Sequence, residues 1–377
     1  LLYFFVWVGS NNPIILFTSY SVTDIKNIWI ILLFIYASIA SLLPVWVLLQ
    51  PRDYINSHQL FIGLALLFLG VIVSQPIVSA PAIRPLSDPS APNLFPLLFV
   101  TIACGAISGF HGLVASGTTS KQLENFADAR MIGYGGMLGE GTLALISTIA
   151  AVAGISLVGH ANLPSNGYIT DLDWSKYYDT WEHASGNKAA AFVLGGGALI
   201  KSLGIPQSFA NTLMAVLVIS FAATTLDTAM RIQRFILNEF GKAANIKILS
   251  NKYLGTLIAV LPALLMAFWN IEDPSSGISR QAGWVLWPIF GASNQMLAAL
   301  TLMVLTLYFW KKRKPILPLL IPMILLMIIT FSALMVNAIS FYGINNTLFI
   351  LTILLIVLII WMLFEGINKM LQIKKNV

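Results

Sequence analysis

Residues 348–364 read LFILTILLIVLIIWMLF and contain no charged side chain. A transmembrane helix needs about 20 mainly apolar residues, so this stretch predicts a membrane crossing. Eight similar blocks precede it, at residues 29–49, 60–78, 95–116, 131–158, 207–228, 253–269, 284–310 and 316–336. Nine crossings predict an all-α, polytopic integral membrane protein, because a helix in hydrocarbon satisfies its own backbone hydrogen bonds.

The composition excludes an ordinary soluble domain. Of 377 residues, 58% are hydrophobic and 10% are charged, whereas about 25% are charged in soluble proteins. The net charge of +6 comes from basic residues between the apolar blocks. The positive-inside rule explains that charge, so no nucleic acid partner is expected and the lipid bilayer is the surrounding partner. The one cysteine, Cys104, lies inside a block and predicts neither a disulfide nor a cysteine metal site.

Alternating the loops between the two sides collects the basic ones on one side. That side receives Arg52, Lys121, Arg130, Arg231, Arg234, Lys242, Lys247, Lys252, Lys311, Lys312, Arg313, Lys314, Lys374 and Lys375. The other side receives residues 76–92, the acidic segment around Asp171, and the loop with Glu272 and Asp273. The asymmetry predicts a cytoplasmic C-terminus.

The chain divides into three parts along its length. Residues 1–27 are interpreted as the remnant of a preceding transmembrane helix and an outer loop, residues 28–310 as a core of seven transmembrane helices, and residues 311–377 as two further helices with a basic tail. The chain begins with Leu1 and not with Met, so we expect an N-terminally truncated piece of a longer protein. Residues 189–202 are apolar but short, and predict an outer half-helix or lid.

A polar stripe marks the block at residues 207–228. Ser220, Thr224, Asp227, Thr228 and Arg231 follow helical spacing, with Thr225 beside them. Hydroxyl and carboxylate oxygens suit a small cation, and a desolvated aspartate can exchange a proton, so Asp227 is the candidate coupling site for H⁺ or Na⁺. The alternative is an ion pair between Asp227 and Arg231, four residues apart.

Glycine is dense between Gly105 and Ser120, which predicts a helix that breaks at residues 109–119. The freed backbone groups of broken helices bind substrates in many transporters. The alternative is a face of small residues that admits a neighbouring helix. His111 is either a direct participant or a hydrogen-bonded packing residue.

Two further groups of polar residues fall inside the blocks. Glu140 has no basic neighbour in sequence and must pair, protonate or face water. Pro288 and Gly291 weaken the helix of another block. The polar residues that follow them either contact a substrate or bridge helices, and they are Ser293, Asn294 and Gln295.

Enzyme signatures are absent from the sequence. It has no His-Glu-x-x-His site, no GxxxxGK[ST] phosphate loop and no G-x-S-x-G elbow. We therefore expect that the protein is not an enzyme and has no cofactor and no metal site. Any transport is expected to be secondary or passive.

Seven ordered motifs resemble the carbon starvation protein A family of bacterial inner-membrane transporters. They are LPVW at 43–46, PRDY at 51–54, TIACGAISGFH at 101–111, SGTT at 116–119, DARMIGYG at 128–135, LDT at 226–228 and LWPIFGASNQMLA at 286–298. The resemblance implies uptake of small peptides or pyruvate during starvation by proton or sodium symport. It also implies a fold like the amino acid-polyamine-organocation (LeuT-like) transporters.

The resemblance and the polar patterns together define two candidate sites. The substrate-binding candidates are Ser108, Gly109, His111, Ser116, Thr118, Thr119, Ser293 and Asn294. The cation-coupling candidates are Ser220, Thr224, Thr225, Asp227 and Glu140. By analogy with that fold, residues 109–119 would be the second broken helix, and the first would lie upstream of this chain. Two functions compete with this interpretation. One is a passive channel, and the other is a membrane enzyme or sensor in which His111, Glu140 and Asp227 act together.

Overall fold

Long apolar helices dominate the computed structural model, which describes residues 1–14, 20–82, 91–165, 167–272 and 279–375. The helices are α1 (Leu2–Asn11), α2 (Val22–Leu42), α3 (Leu49–Ser74), α4 (Phe99–Ala106), α5 (Gly109–Gly117), α6 (Asp128–Val152), α7 (Trp174–Tyr177), α8 (Trp181–Lys201), α9 (Gln207–Ala243), α10 (Lys247–Ser250), α11 (Lys252–Phe268), α12 (Ala282–Val285), α13 (Trp287–Lys311), α14 (Leu317–Phe341) and α15 (Asn346–Lys375). Two antiparallel hairpins join β1 (His160–Leu163) to β2 (Gly167–Thr170) and β3 (Asn270–Glu272) to β4 (Ser279–Gln281).

Eight helical segments among the described residues are long and apolar enough to cross a membrane, which confirms the polytopic all-α class. Seven are single helices, and the eighth, Leu94–Lys121, contains α4 and α5. They coincide with eight of the nine predicted blocks. The ninth block, at residues 253–269, forms α11, which has 17 residues and contains Pro262. A crossing typically takes about 17–25 residues, so α11 is at the lower limit. The predicted outer segments at residues 83–90 and Asp273, and part of the predicted remnant at residues 15–17, lie outside the described residues.

The predicted half-helix at residues 189–202 is wrong in length. The structure has a continuous helix of 21 residues, α8, whose first turn is capped by the Thr180 hydroxyl. Leu199 and Ile200 near its end are fully buried. Glycines explain this burial, since the backbone of α8 at Gly195 lies against the carbonyl oxygen of Ala150.

The chain forms two compact units, each built from two separated stretches of sequence. Unit 1 comprises Leu1–Ala91 and Arg130–Leu264, and unit 2 comprises Pro92–Ala129 and Leu265–Val377. These units are defined by contacts, whereas the division at residues 27 and 310 follows the order of the blocks and stays a prediction.

The core of unit 1 lies where α3, α6, α8 and α9 meet. Leu67, Ile146, Leu199 and Met214 are each at most 1% exposed there. Outside the spans, the β1–β2 hairpin and α7 enclose a small separate core around Leu163, Leu172 and Tyr177. Burial raises the pKa of the Tyr177 phenol to about 12, and its hydroxyl donates a hydrogen bond to the carbonyl oxygen of Ala184.

The core of unit 2 lies between α13, α14 and α15. Ala292, Ala299, Leu334 and Ile359 are at most 1% exposed in this cluster. The β3–β4 hairpin precedes α12, and the broken pair α4 and α5 packs on α13. Small residues on α13 allow this dense packing, because they let helix backbones approach closely.

Gly195→Ala should lower the stability of the protein, because a Cβ atom at residue 195 would lie 2.1 Å from the carbonyl oxygen of Ala150. Overpacking of this kind typically costs about 1–3 kcal/mol. Gly136→Ala on α6 is the matched control, since nothing lies within 4 Å of its Cβ position. The control should be neutral or gain up to about 1 kcal/mol from helix propensity. Thermal unfolding in detergent measures both, and equal melting temperatures would contradict the packing.

Candidate functional site

The predicted stripe on α9 forms one packed face of that helix. Asp227 is 1% exposed and Arg231 is 2% exposed, and α9 packs against α3 and α2 on this side. Asp227 follows about 20 residues after the start of α9, or about 30 Å along the axis.

The direct partner of Asp227 is Arg52 on α3. The Arg52 guanidinium donates a hydrogen bond to the Asp227 carboxylate. It also donates to the Tyr36 hydroxyl at 3.1 Å and to the Asp53 carboxylate at 3.1 Å. The sequence analysis placed Arg52 in a loop, but α3 begins at Leu49, eleven residues before the predicted block.

The polar residues of α3 and α9 meet in an antiparallel register. Ser220 donates to the Gln59 side-chain oxygen at 3.1 Å, seven residues from the Arg52–Asp227 pair on each helix. One turn further, a Cβ atom on Gly63 would lie 2.8 Å from Leu217 Cδ1, so this glycine permits the close approach. The register places Asn56 at the level of Thr224, midway between the two polar contacts.

This α3–α9 seam, defined by Arg52, Asn56 and Gln59 on α3 and Ser220, Thr224 and Asp227 on α9, contains unused donors. Asn56 is 6% exposed and Gln59 is 1% exposed. Among the described residues, the Asn56 Nδ2 and Gln59 Nε2 groups have no hydrogen-bond partner, and neither has Arg52 Nε. An unsatisfied buried polar group costs about 1–3 kcal/mol, so these donors need an explanation.

Arg231 does not pair directly with Asp227, so the alternative ion pair from the sequence analysis is wrong. Its guanidinium donates to the carbonyl oxygens of Ala40 at 2.6 Å and Leu43 at 2.8 Å. These carbonyls end α2, where the helix lacks internal donors and a positive charge is favourable. Arg231 therefore ties α9 to the end of α2 and leaves Asp227 to Arg52.

The break predicted at residues 109–119 is wrong in position. The structure has a continuous helix, α5, from Gly109 to Gly117, and the interruption lies just before it, after the end of α4 at Ala106. Ile107 and Ser108 between them have extended backbone angles. The Ser108 hydroxyl caps α5 by accepting a hydrogen bond from the Phe110 backbone N–H at 3.2 Å.

Asn294 on α13 stabilises this break within unit 2. Its side-chain oxygen accepts hydrogen bonds from the Ser108 hydroxyl at 3.1 Å and the Phe110 backbone N–H at 3.0 Å. Its Nδ2 group donates to Cys104 Sγ at 3.0 Å. The Asn294 amide therefore bridges α4, α5 and α13, which is the bridging interpretation of this residue.

The small-residue face of α5 has a packing role at two positions. A Cβ atom on Gly109 would lie 2.4 Å from the backbone oxygen of Asn294, and one on Gly112 would lie 2.6 Å from Thr301 Oγ1. Gly105 has nothing within 4 Å of its Cβ position, and Ser116 is exposed. Close helix packing therefore explains Gly109 and Gly112 but not the whole glycine pattern.

The other predicted site residues occupy several different environments. Thr118 is buried, and its hydroxyl has no partner among the described residues. Thr119 begins a short 3₁₀ turn. Four hydroxyls donate to backbone carbonyls of their own helices, and they belong to Ser116, Ser293, Thr224 and Thr225.

The predicted ionisable residues His111 and Glu140 are exposed, and each interacts with another group of the protein. Within the described part of the chain, Asp227 accepts hydrogen bonds from Arg52 and Thr228 only, and Glu140 does not contact it.

The sequence patterns do not predict the α3 half of the seam or the buried Thr330 in unit 2. Arg52, Asn56 and Gln59 recur at helical spacing of four and three residues, which is the available signal. Gln295, which belongs to the predicted polar group at residues 293–295, and Thr330 are fully buried, and their side-chain polar atoms have no partner among the described residues. Thr330 is a single polar residue inside an apolar block and carries no such periodic signal.

Comparison with known proteins identifies one family. The chain matches the family described as "Carbon starvation protein CstA" over residues 1–333. It is 34% identical over 336 residues to the peptide transporter CstA of Mycobacterium tuberculosis, which covers 78% of this chain and 43% of that protein. It is 30% identical over 318 residues to the peptide transporter CstA of Escherichia coli, covering 74% and 45%.

A relative with a different name has a comparable sequence identity. The chain is 31% identical over 337 residues to the pyruvate/proton symporter BtsT of Escherichia coli, covering 74% of this chain and 46% of that protein. The chain thus spans about half the length of the curated relatives it matches. No solved structure matches.

Arg52→Met should destabilise unit 1 by about 3–5 kcal/mol, because it leaves the Asp227 carboxylate buried without its partner. Adding Asp227→Leu removes the second charge and should restore most of that loss. Lys242→Met is the control, since it removes an exposed cation from α9 and should be nearly neutral. Chemical unfolding in detergent checks the series, and a double variant as unstable as Arg52→Met would contradict the pair.

Gly109→Ala should destabilise unit 2 by about 1–3 kcal/mol, because the new Cβ atom would collide with the Asn294 backbone and with Leu297 Cβ. Gly105→Ala provides the comparison, as it lies in the same broken segment with open space around it. Melting temperatures of the two variants measure the difference. If Gly105→Ala is the more damaging change, the packing explanation for Gly109 fails.

Proposed function

This chain belongs to the carbon starvation protein CstA family, and from that premise we propose that the protein containing it is a secondary active transporter for small peptides or pyruvate. The motif resemblance from the sequence analysis is confirmed by the family match. Two relatives are named as peptide transporters and a third as a pyruvate/proton symporter. All three names denote transport, which points away from an enzyme.

The two named substrate classes share one chemical group. Pyruvate is a carboxylate, and a peptide ends in one. A transporter for either needs hydrogen-bond donors and positive charge near the substrate path, since Arg and amide donors match carboxylate oxygens. This shared chemistry lets one family serve both classes through the same type of contact.

The buried Arg52–Asp227 pair carries the proposal that the coupling ion is a proton. A sodium ion at Asp227 would meet the neighbouring guanidinium and would have to displace it. A proton instead bonds to the carboxylate and removes the charge that holds Arg52. Ionisable residues inside membrane-spanning segments mark proton pathways in many transporters. Ser220, Thr224 and Thr225 then belong to the surroundings of the pair, and their hydroxyls hold no cation.

We further propose the LeuT-like fold and an inner-membrane location with a cytoplasmic C-terminus. The break at Ile107–Ser108 is the kind of discontinuity that such transporters use. The basic run from Lys311 to Lys314 between α13 and α14 supports the orientation through the positive-inside rule. The competing function is a passive facilitator, which would let the solute equilibrate across the membrane but would not accumulate it.

The full-length gene product in liposomes should accumulate labelled pyruvate or dialanine above the outside concentration when a pH gradient, acid outside, is imposed. A sodium gradient alone should give no accumulation. Asp227→Asn should reduce the final ratio to about one, because the amide cannot release and rebind a proton. Glu239→Gln, an exposed carboxyl on the same helix, should accumulate normally.

Three outcomes would overturn parts of this proposal. Equilibration without accumulation in the unaltered protein would indicate a facilitator. Accumulation driven by sodium alone would replace the proton. Full accumulation by Asp227→Asn would remove Asp227 from coupling while leaving transport itself intact.

A further inference from the structure

The α3–α9 seam has a surplus of hydrogen-bond donors inside the membrane-spanning part of unit 1. Asn56 Nδ2 and Gln59 Nε2 are buried and without partners, and the Gln59 oxygen is already occupied by Ser220. Arg52 Nε adds a third unused donor on the same face of α3. What the seam lacks is an acceptor.

The distances between these donors match the size of a small ligand with several acceptor oxygens. Arg52, Asn56 and Gln59 lie four and three residues apart on α3, so successive donors are separated by about 5–6 Å along the helix. They stand on one face, since residues at i, i+4 and i+7 align. A group with two or more acceptor oxygens, placed against this face, can contact adjacent donors at once.

We propose that the α3–α9 seam binds the transported carboxylic acid, with Arg52 exchanging the Asp227 carboxylate for that of the ligand and with Asn56 and Gln59 donating to the acceptor oxygens of the ligand that lie beside them. This inference rests on the proposed function, and it assigns the substrate to α3 and α9 in place of the broken helix around Ser108. The carboxylate of a keto acid and that of a peptide terminus present the same two oxygens to these donors.

Charge supports an anion at this place. The groups near Asp227 are Arg52 and Asp53 on α3, Tyr36 on α2, which Arg52 also contacts, and Arg231 on α9. Two guanidinium groups lie near two carboxylates, but Asp53 is 52% exposed, so the buried part of this cluster has one more positive group than negative groups. Arg231 is held by the end of α2, so Arg52 is the guanidinium that can change partners.

Ligand entry and the ion pair are linked by geometry. The seam is packed closed, so a ligand must separate α3 from α9, and the Arg52–Asp227 contact lies across that separation. Protonation of Asp227 weakens the contact and frees Arg52 for the ligand. Since such coupling is reciprocal, ligand binding should in turn favour protonation of Asp227. One carboxylate then enters with one proton.

Apolar replacements separate this binding role from a structural one. In the full-length protein in lipid nanodiscs, Asn56→Leu and Gln59→Leu each remove a buried donor without a partner, and such a change is typically neutral or stabilising. Ser220 keeps its other acceptor, the Leu217 carbonyl oxygen. We expect both variants to melt no lower than the unaltered protein and to bind pyruvate and dialanine about tenfold more weakly or worse.

Ligand analogues and a control variant complete the test. Pyruvamide and dialanine amide, which lack the carboxylate, should bind at least about tenfold more weakly than the acids. Gln233→Leu, an exposed amide on α9, should leave affinity unchanged. Calorimetry in buffers of different ionisation heat should show uptake of one proton per pyruvate bound, and none in Asp227→Asn.

The outcomes of these experiments distinguish the carboxylate site from the proposed transport function. Unchanged affinity in Asn56→Leu and Gln59→Leu, or equal binding of the amides, overturns the carboxylate site even if uptake is normal. Carboxylate-dependent binding that these variants weaken, in a protein that accumulates nothing under any gradient, keeps the site and overturns the transport function. Binding without proton uptake overturns the exchange of Arg52 between the two carboxylates.

Discussion

The ion pair between Arg52 and Asp227 sets the arrangement of the helices around it. A buried charge without its partner is costly in a medium that cannot solvate it, so α3 and α9 must meet at one register. Seven residues away, Gln59 and Ser220 meet in the same register, and Gly63 beyond them gives the helices room to approach. Arg231 extends the constraint to α2 by capping its last carbonyls.

In unit 2, polar groups inside the protein are satisfied by neutral side chains instead of by an ion pair. Breaking a membrane helix leaves backbone N–H and C=O groups without partners, and each must be satisfied inside the protein. Asn294 does so at the start of α5, together with the Ser108 hydroxyl. Gly109 allows α13 to come close enough for these bonds. A neutral bridge suits a fixed discontinuity, whereas an ion pair responds to protonation.

Stability and function conflict in the α3–α9 seam. Donors on Asn56 and Gln59 without partners reduce the stability of the closed seam, and leucine would pack there at no such cost. In the proposed binding role, a carboxylic acid ligand would supply acceptors for these amides, and its binding energy would offset the cost of separating the Arg52–Asp227 pair.

The sequence by itself determined the membrane-spanning class, eight of the spans and the polar face of α9, because each depends on composition or periodicity within one segment. The density of glycine predicted a broken helix, but at residues 109–119 and not at Ile107 and Ser108. The sequence did not reveal that Asp227 pairs with Arg52, that Asn294 bridges α4, α5 and α13, or that Asn56 and Gln59 face Ser220 and Thr224. The apolar pattern predicted that this helix starts at residue 60, whereas α3 starts at Leu49. The reason is that Arg52, Asn56 and Gln59 make the first turns of α3 polar, and polar segments are typical of loops. Only the tertiary structure decided these contacts, because they join residues more than a hundred positions apart, and a partner across a helix interface leaves no periodic trace in either helix alone.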